Sequence, residues 1–146
     1  MTRRYAITFA WAATCSAFAA LTTSAGATRF RQQATPWEAP ASAKATINPL
    51  PYNEENIQKG KSVFMNTCVP CHGDKGKGDG IAGIDLIPRP GNLTSEKVQS
   101  QTDGAIFWKI TKGRPPMPAY DCNLTEEQRW QLVHYIRKLA KTENKK

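Results

Sequence analysis

The chain has 146 residues, of which 40% are hydrophobic, and a formal net charge of +8 at neutral pH. This length has room for one small folded domain with extensions, so a single core is expected. Four cysteines are also too few for the disulfide scaffold that is typical of small secreted proteins.

Residues 1–27 have the pattern of a secretory signal peptide. Arg3 and Arg4 supply the positive charge, Tyr5 to Leu21 form the apolar run, and Ala25-Gly26-Ala27 is a small-residue cleavage site. The sequence therefore predicts an exported protein that is located in the periplasm.

Three alternatives for this first segment stay open. Arg3-Arg4 is similar to a twin-arginine signal, but Ala6 and Ile7 fit that signal poorly. Cys15 could belong to a lipoprotein signal, although the preceding Ala13-Thr14 is a poor match. The segment could also stay uncleaved as a membrane tether, because about 17 to 20 residues just span a bilayer, but its Thr and Ser content disfavours this alternative.

Residues 28–52 form a Pro/Ala-rich segment without an apolar period. Such a composition predicts a linker, because prolines stiffen the chain toward an extended conformation. The linker would serve either as a tether from a membrane or as a strap that lies on the domain. Trp37 is its largest side chain, and we expect it to pack locally or to be exposed.

The folded domain is predicted over residues 53–146 and begins with a helix. Asn53 is a suitable N-cap, and Glu54-Glu55 places negative charge in the first turn, where the helix dipole favours it. The helix is expected to run to about Thr67.

This first helix has a face that can receive a second helix. Ile57, Gly60 and Phe64 fall on the same side, and Gly60 lacks a side chain that would keep a partner away. A partner is predicted near the end of the chain, where Thr125-Glu126-Glu127-Gln128 forms a capping box before an apolar helical pattern.

Cys68-Val69-Pro70-Cys71-His72 has the spacing of a c-type haem attachment site. Two thiols at this spacing can add to the two vinyl groups on one edge of a porphyrin, and the next histidine then reaches the iron. The sequence therefore predicts one haem c that is attached covalently through Cys68 and Cys71, with His72 as the proximal iron ligand.

Two other chemistries of this motif are disfavoured. A zinc site would need a second pair of ligands, and beyond the motif the mature chain offers only Cys122 and His134. A thioredoxin-like redox pair would need alternating strands and helices around it. Here a helix precedes the motif and a glycine-rich loop, residues 73–83, follows it. Gly78 to Gly83 matches a dinucleotide-binding pattern by letter, but without the flanking strand and helix it is interpreted as turns.

A short helix is predicted through Ile106 and Ile110. Thr102 or Asp103 can cap it, and Gly113 stands at its C-terminal end. Trp108 and Arg114 are candidates to contact a haem propionate.

The stretch from Asn53 to Ala140 resembles the class I c-type cytochromes. Among them it is similar to the small bacterial mono-haem domains that serve terminal oxidases and periplasmic dehydrogenases. The resemblance implies an all-α cytochrome c fold, in which the N-terminal and C-terminal helices cross and loops wrap around one haem. It is carried by Gly60-x-x-x-Phe64, Cys68-x-x-Cys71-His72, Gly113 to Tyr120, and the helix that contains Leu132 and Tyr135.

The same resemblance implies an acceptor for the proximal histidine. In the family, a backbone carbonyl of a proline-containing loop accepts a hydrogen bond from the second ring nitrogen of that histidine. The loop corresponds to Pro88 to Leu93 here. Which residue from Pro88 to Gly91 supplies the carbonyl stays open, because the order Pro-Gly departs from the usual Gly-Pro.

Three side chains are candidates for the sixth iron ligand. Met65 lies three residues before Cys68 on the proximal side, and we expect it in the core. His134 is expected to face solvent. Met117 lies among prolines that limit its backbone freedom and matches the family's distal methionine segment, so it is the predicted distal ligand.

Two strong axial ligands, His72 and Met117, would leave the iron no open position for a substrate. The sequence therefore predicts an electron carrier of a respiratory chain and not an enzyme. The alternatives are a haem sensor or ligand-binding haem protein with a labile sixth ligand, and an assembly module that only carries haem.

Charge and the remaining thiol bear on partners. Without Arg3 and Arg4 of the signal, 18 basic and 12 acidic side chains remain. Such a surplus can steer an acidic redox partner, such as a terminal oxidase or a periplasmic dehydrogenase. Nucleic acid is a poor partner for an exported haem protein.

Cys122 has no partner within the monomer and is expected to be buried and inert rather than exposed and able to dimerise, which predicts a monomer.

Overall fold

The computed structural model describes residues 36–143, except the side chains of Thr142 and Glu143. The predicted signal peptide, residues 1–27, and the start of the predicted linker lie outside the described residues. Between residues 36 and 143 there is no β-strand, and no helix in that range is long and apolar enough to cross a membrane. The helices are α1 (Ala41–Lys44), α2 (Glu54–Thr67), α3 (Val69–His72), a 3-10 turn (Ile81–Gly83), α4 (Glu96–Gln99), α5 (Asp103–Lys112) and α6 (Glu126–Glu143).

The ends of the long helices are fixed by the caps that the sequence predicts. The Asn53 side chain accepts a hydrogen bond from the Asn56 N–H at 2.9 Å, and α2 begins at the next residue. At the start of α6, the Thr125 hydroxyl accepts from the Gln128 N–H at 3.2 Å, while the Gln128 side chain accepts from the Thr125 N–H at 2.9 Å. The predicted N-cap and the predicted capping box are confirmed.

The core lies where α2 crosses α6. At Gly60 the two helices come so close that a side chain would overlap the backbone of α6. One turn later Phe64 is fully buried, with its ring centroid 5.1 Å from that of Tyr135. The predicted packing of the first long helix against the last helix is therefore confirmed.

Residues 36–52, which we call the N-terminal strap, lie on the helices of the domain. Helix α1 sits against Gly104 of α5, where a Cβ atom would stand 2.1 Å from the Ala43 carbonyl oxygen. Further along, the Asn48 side chain donates a hydrogen bond to the Trp130 carbonyl of α6 at 3.2 Å. Of the two roles that the sequence left open for this segment, its described part takes that of a strap on the domain.

The strap explains why the prediction for His134 is wrong. His134 was expected to face solvent, but only 4% of it is exposed. Its Nε2 atom lies 3.1 Å from the Leu50 carbonyl oxygen, and the ring of Tyr52 packs edge-on against it at 5.2 Å. The face of α6 that turns away from α2 is therefore covered by the N-terminal strap.

Two further burial predictions are also wrong. Met65 was expected in the core, but it is 44% exposed, because it follows Phe64 on α2 and so points away from the α6 interface. Cys122 was expected to be buried, but it is exposed. It lies in the turn before α6, which is anchored by its main chain: the Arg129 guanidinium bonds the carbonyl oxygens of residues 120, 121 and 124.

Candidate functional site

The two cysteines of the motif lie on one helical turn that directly follows α2. The Cys68 N–H donates to the Phe64 carbonyl at 2.8 Å, so the turn continues the buried helix. The Cys68 carbonyl in turn accepts from the Cys71 N–H at 3.2 Å and from the His72 N–H at 2.8 Å. Residues three apart on such a turn share a face, so the structure brings the two thiols together beside the imidazole.

The imidazole of His72 is oriented by the main chain. Its Nδ1 atom lies 3.1 Å from the Gly91 carbonyl oxygen, which can only accept, so Nδ1 carries the proton. The Nε2 atom is then the nitrogen that is free to bind a metal ion. Of the four residues that the sequence left open as the acceptor, Gly91 supplies the carbonyl.

Burial affects the charge of this ring. It lowers the pKa of His72, and the hydrogen bond to Gly91 opposes that change without overcoming it. The imidazole is therefore held in its neutral form at neutral pH, which is the form that ligates a metal.

The loop after His72 closes back onto the cysteine turn because it is rich in glycine. Gly73 and Gly78 have φ values of 75° and 82°, which residues other than glycine rarely adopt. At Gly80, a Cβ atom would stand 2.5 Å from the carbonyl oxygens of Val69 and Pro70. The glycines therefore serve as turn and contact residues, as the sequence predicts.

An apolar rim borders the cysteine turn. The 3-10 turn packs against it, since a Cβ atom on Gly83 would stand 2.5 Å from the Cys71 carbonyl oxygen. Ile81, Ile84 and Ile87 follow in this segment with 83%, 41% and 76% of their surfaces exposed. Residues Ile84 to Arg89 line an open hollow of about 470 Å³. Exposed isoleucines in the segment that packs against the cysteine turn fit an apolar porphyrin that is attached at its edge.

Met117 lies in a closed turn at the end of α5. The Arg114 N–H donates to the Met117 carbonyl at 3.0 Å, and the Met117 N–H donates to the Arg114 carbonyl at 2.9 Å. The turn can start so abruptly because Gly113 has a φ of 60°, and a side chain there would overlap Pro118. Met117 itself is half-buried. Both backbone polar groups of Met117, its N–H and its carbonyl, are therefore held by Arg114.

Of the two other candidates for the sixth iron ligand, one is engaged in a hydrogen bond and the other is exposed on the surface of α2. The His134 Nε2 atom contacts the Leu50 carbonyl oxygen, and Met65 is exposed on α2.

Burial, and secondarily the neighbouring charge of Cys71, raises the pKa of the Cys68 thiol to about 12. A redox-active cysteine pair needs a lowered thiol pKa, so this environment disfavours thioredoxin-like chemistry.

One contact near the site could not be predicted from the sequence. The ring of Trp37 in the N-terminal strap contacts two cations, with the Arg114 guanidinium carbon at 5.1 Å and the Lys109 Nζ at 5.4 Å from its centroid. The signal in the sequence is a tryptophan in a segment that consists mostly of small, polar and proline residues. Trp108 is half-buried on α5, and its contact with a haem propionate stays a prediction.

A helical domain of this kind, with crossing terminal helices and loops closed around a Cys-x-x-Cys-His turn, defines the class of c-type cytochromes. The family model described as cytochrome c oxidase, cbb3-type, subunit III matches residues 55–136, which is more than half of the chain. The chain belongs to this family. The expected all-α cytochrome c fold is confirmed, and covalently bound haem c is the cofactor of such a domain.

Curated relatives are similar over part of their length. The chain is 26% identical over 96 residues to the cbb3-type cytochrome c oxidase subunit CcoP of Azospirillum sp. (strain B510), covering 65% of this chain and 32% of the relative. It is 31% identical over 84 residues to the subunit FixP of Bradyrhizobium diazoefficiens, covering 56% and 27%. The chain therefore spans about a third of the length of these two relatives.

Two further similarities concern a small protein and a solved structure. Cytochrome c6 of Chlorolobion braunii is 28% identical over 88 residues, which cover 57% of this chain and 90% of the relative. A chain of the reducing HAO-like protein complex of Kuenenia stuttgartiensis superposes with a TM-score of 0.57 at 28% identity. That superposition covers 62% of this chain and 46% of the other.

Proposed function

We propose that the protein is an exported carrier of single electrons. One haem c would be held by thioether bonds to Cys68 and Cys71, with His72 and Met117 as the two iron ligands. The observation that carries this proposal is the contact of His72 Nδ1 with the Gly91 carbonyl, because it leaves Nε2 as the nitrogen for iron. When bound, haem c supplies a reversible one-electron change in the oxidation state of its iron.

The turn around Met117 supports its role as the distal ligand. A thioether binds iron weakly, so a backbone that is already fixed by Arg114 lowers the entropic cost of holding it there. Ligation by histidine and methionine also gives a higher reduction potential than ligation by two histidines. If His72 and Met117 both bind the iron, it would have no open position for a substrate, and the protein would act as a carrier and not as an enzyme.

Charge and relatives support a partner class. Exposed lysines such as Lys75, in the loop that follows His72, would attract an acidic redox protein. Two relatives are named as cbb3-type oxidase subunits, which favours a terminal oxidase over a periplasmic dehydrogenase as this partner. The protein would work as a monomer in the periplasm, or tethered to the membrane if residues 1–27 are not cleaved.

The test is the substitution Met117→Ala in protein matured with a haem-attachment system. We expect the haem to survive acidic organic extraction, because the two thioether bonds remain. The ferrous protein should bind carbon monoxide rapidly, and the ferric protein should lose the weak long-wavelength absorption of methionine ligation.

Met65→Ala is the matched control, since Met65 is exposed on α2 and its removal should leave the absorption unchanged. If the band persists in Met117→Ala, or if the wild-type protein lacks it, Met117 is not the ligand. Rapid binding of carbon monoxide by the wild-type protein would favour the haem sensor with a labile sixth ligand.

A further inference from the structure

The N-terminal strap reaches the Met117 turn at its first described residues. Trp37 is half-buried, and its ring lies 5.1 Å from the guanidinium carbon of Arg114. Arg114 is the residue whose backbone pairs in both directions with Met117. A tryptophan from outside the matched family region, residues 55–136, thus contacts the turn that holds the methionine.

We propose that Trp37 is a positioning residue for Met117, and that the N-terminal strap controls through Arg114 how firmly the sixth iron position is occupied. This inference rests on the proposed function, in which Met117 binds the iron.

The first step of the argument is the contact between Trp37 and Arg114. A guanidinium over an aromatic face is attracted by the ring quadrupole and can stack on it. The backbone of Arg114 makes two hydrogen bonds with the backbone of Met117. A contact that fixes the Arg114 side chain therefore also restricts the motion of the turn.

The second step is the second cation at the ring. The Lys109 Nζ lies 5.4 Å from the Trp37 centroid, so two cations share one indole. Burial, and secondarily the charge of Arg114, lowers the pKa of Lys109. The π-faces of Trp37 attract both cations and so offset their mutual repulsion where the methionine turn leaves α5.

The third step is that Trp37 is carried by a segment with anchors of its own. Ala39 is buried, and α1 fits against Gly104 of α5 because no side chain intervenes. The bonds of Asn48 to the Trp130 carbonyl and of the Asn56 side chain to the Pro51 carbonyl, at 3.0 Å, hold the other end of the strap, beyond α1. Because the strap is held on α5, Trp37 can restrict the motion of Arg114 and does not simply move with it.

The test compares Trp37→Ala and Trp37→Phe in the full, haem-loaded chain. The readouts are the affinity of the ferric protein for imidazole, which competes with the methionine, the reduction potential, and hydrogen exchange at the Met117 N–H. For Trp37→Ala we expect about a two- to fivefold tighter binding of imidazole, the size of one part-exposed cation–π contact. The potential should fall and the Met117 N–H should exchange faster, whereas Trp37→Phe should retain most of the wild-type behaviour.

Asn48→Ala is the matched control, because it weakens the strap at α6, away from Arg114. It should lower the unfolding midpoint without changing imidazole affinity or exchange at Met117. Gly104→Ala releases the strap from α5 by a different route and should reproduce Trp37→Ala. It also provides the test if Trp37→Ala fails to fold.

Two results would overturn the proposal. One is wild-type imidazole affinity and wild-type exchange at Met117 in both Trp37→Ala and Gly104→Ala. The other is an equal change in all three strap variants, which would show only a loss of overall stability. Failure of the proposed function has a different signature, since Met117→Ala would then bind imidazole no more tightly than the wild-type protein.

Discussion

Gly60 of α2 and Gln131 of α6 approach so closely that a Cβ atom on Gly60 would stand 2.0 Å from the Gln131 carbonyl oxygen. The next nearest atoms are the Gln131 carbonyl carbon at 2.6 Å and the Leu132 nitrogen at 3.2 Å, and both belong to the main chain of α6. No side chain can move aside to make room. The crossing of the two helices therefore depends on the missing side chain at residue 60.

Gly60→Ala should lower the free energy of unfolding by about 2 to 3 kcal/mol, because the new methyl group forces the two helix backbones apart. The measurement is guanidinium unfolding of the haem-loaded protein. Ser62→Ala is the control: Ser62 is exposed on the same helix, so this change should alter stability by less than about 0.5 kcal/mol. Equal stability of Gly60→Ala and the wild type would contradict the close crossing.

His134→Phe should destabilise the protein by about 1 to 3 kcal/mol. The phenyl ring retains the packing against Tyr52, but the Leu50 carbonyl loses its contact with Nε2, and the Asn48 side chain loses its contact with Nδ1 at 3.5 Å. The part-buried Leu50 carbonyl would then lose its imidazole partner, whereas Asn48 keeps its bond to the Trp130 carbonyl. Chemical unfolding measures the change, and an unchanged midpoint would show that this contact contributes nothing.

Cys122 should react with one equivalent of a maleimide reagent in the native, haem-loaded protein, because its side chain is exposed. Mass spectrometry counts the labels. Cys122→Ser should take up none, since Cys68 and Cys71 are consumed as thioethers. An unreactive wild type would mean that the thiol is covered, whereas two or three labels would mean that haem attachment is incomplete.

Oxidation by a solubilised terminal oxidase should slow as salt is added. Raising the ionic strength from 0.01 M to 0.1 M shortens the Debye length from about 30 Å to about 10 Å, and steered association should then slow by about tenfold. Stopped-flow absorbance gives the rate, and a small uncharged oxidant should show almost no dependence. A rate that is insensitive to salt would rule out electrostatic steering by this protein.

The features that could be predicted from the sequence are local ones. The caps at Asn53 and Thr125 satisfy backbone groups within three residues, so a short pattern is enough to reveal them. The Cys68 to His72 spacing likewise places its three functional side chains on one helical turn. The all-α fold follows from these helices together with the resemblance to a known family.

The errors arose where distant segments meet. His134 was assigned to the surface from its position relative to Gly60 and Phe64, but a second partner, the strap, covers it through contacts more than 80 residues away in the chain. For Met65 and Cys122, general burial preferences of the residue type were given more weight than position. Met65 directly follows the inward-facing Phe64, which was itself a signal of exposure.

The acceptor for His72 is a peptide carbonyl and not a side chain. Every amino acid at position 91 carries that same oxygen, so no single substitution there deletes it, and it has no ionisation of its own. A carboxylate acceptor could be removed by mutation or protonated by acid. In the proposed function, the acceptor that sets the donor strength of the His72 imidazole is therefore neither deleted by a substitution at position 91 nor protonated by acid.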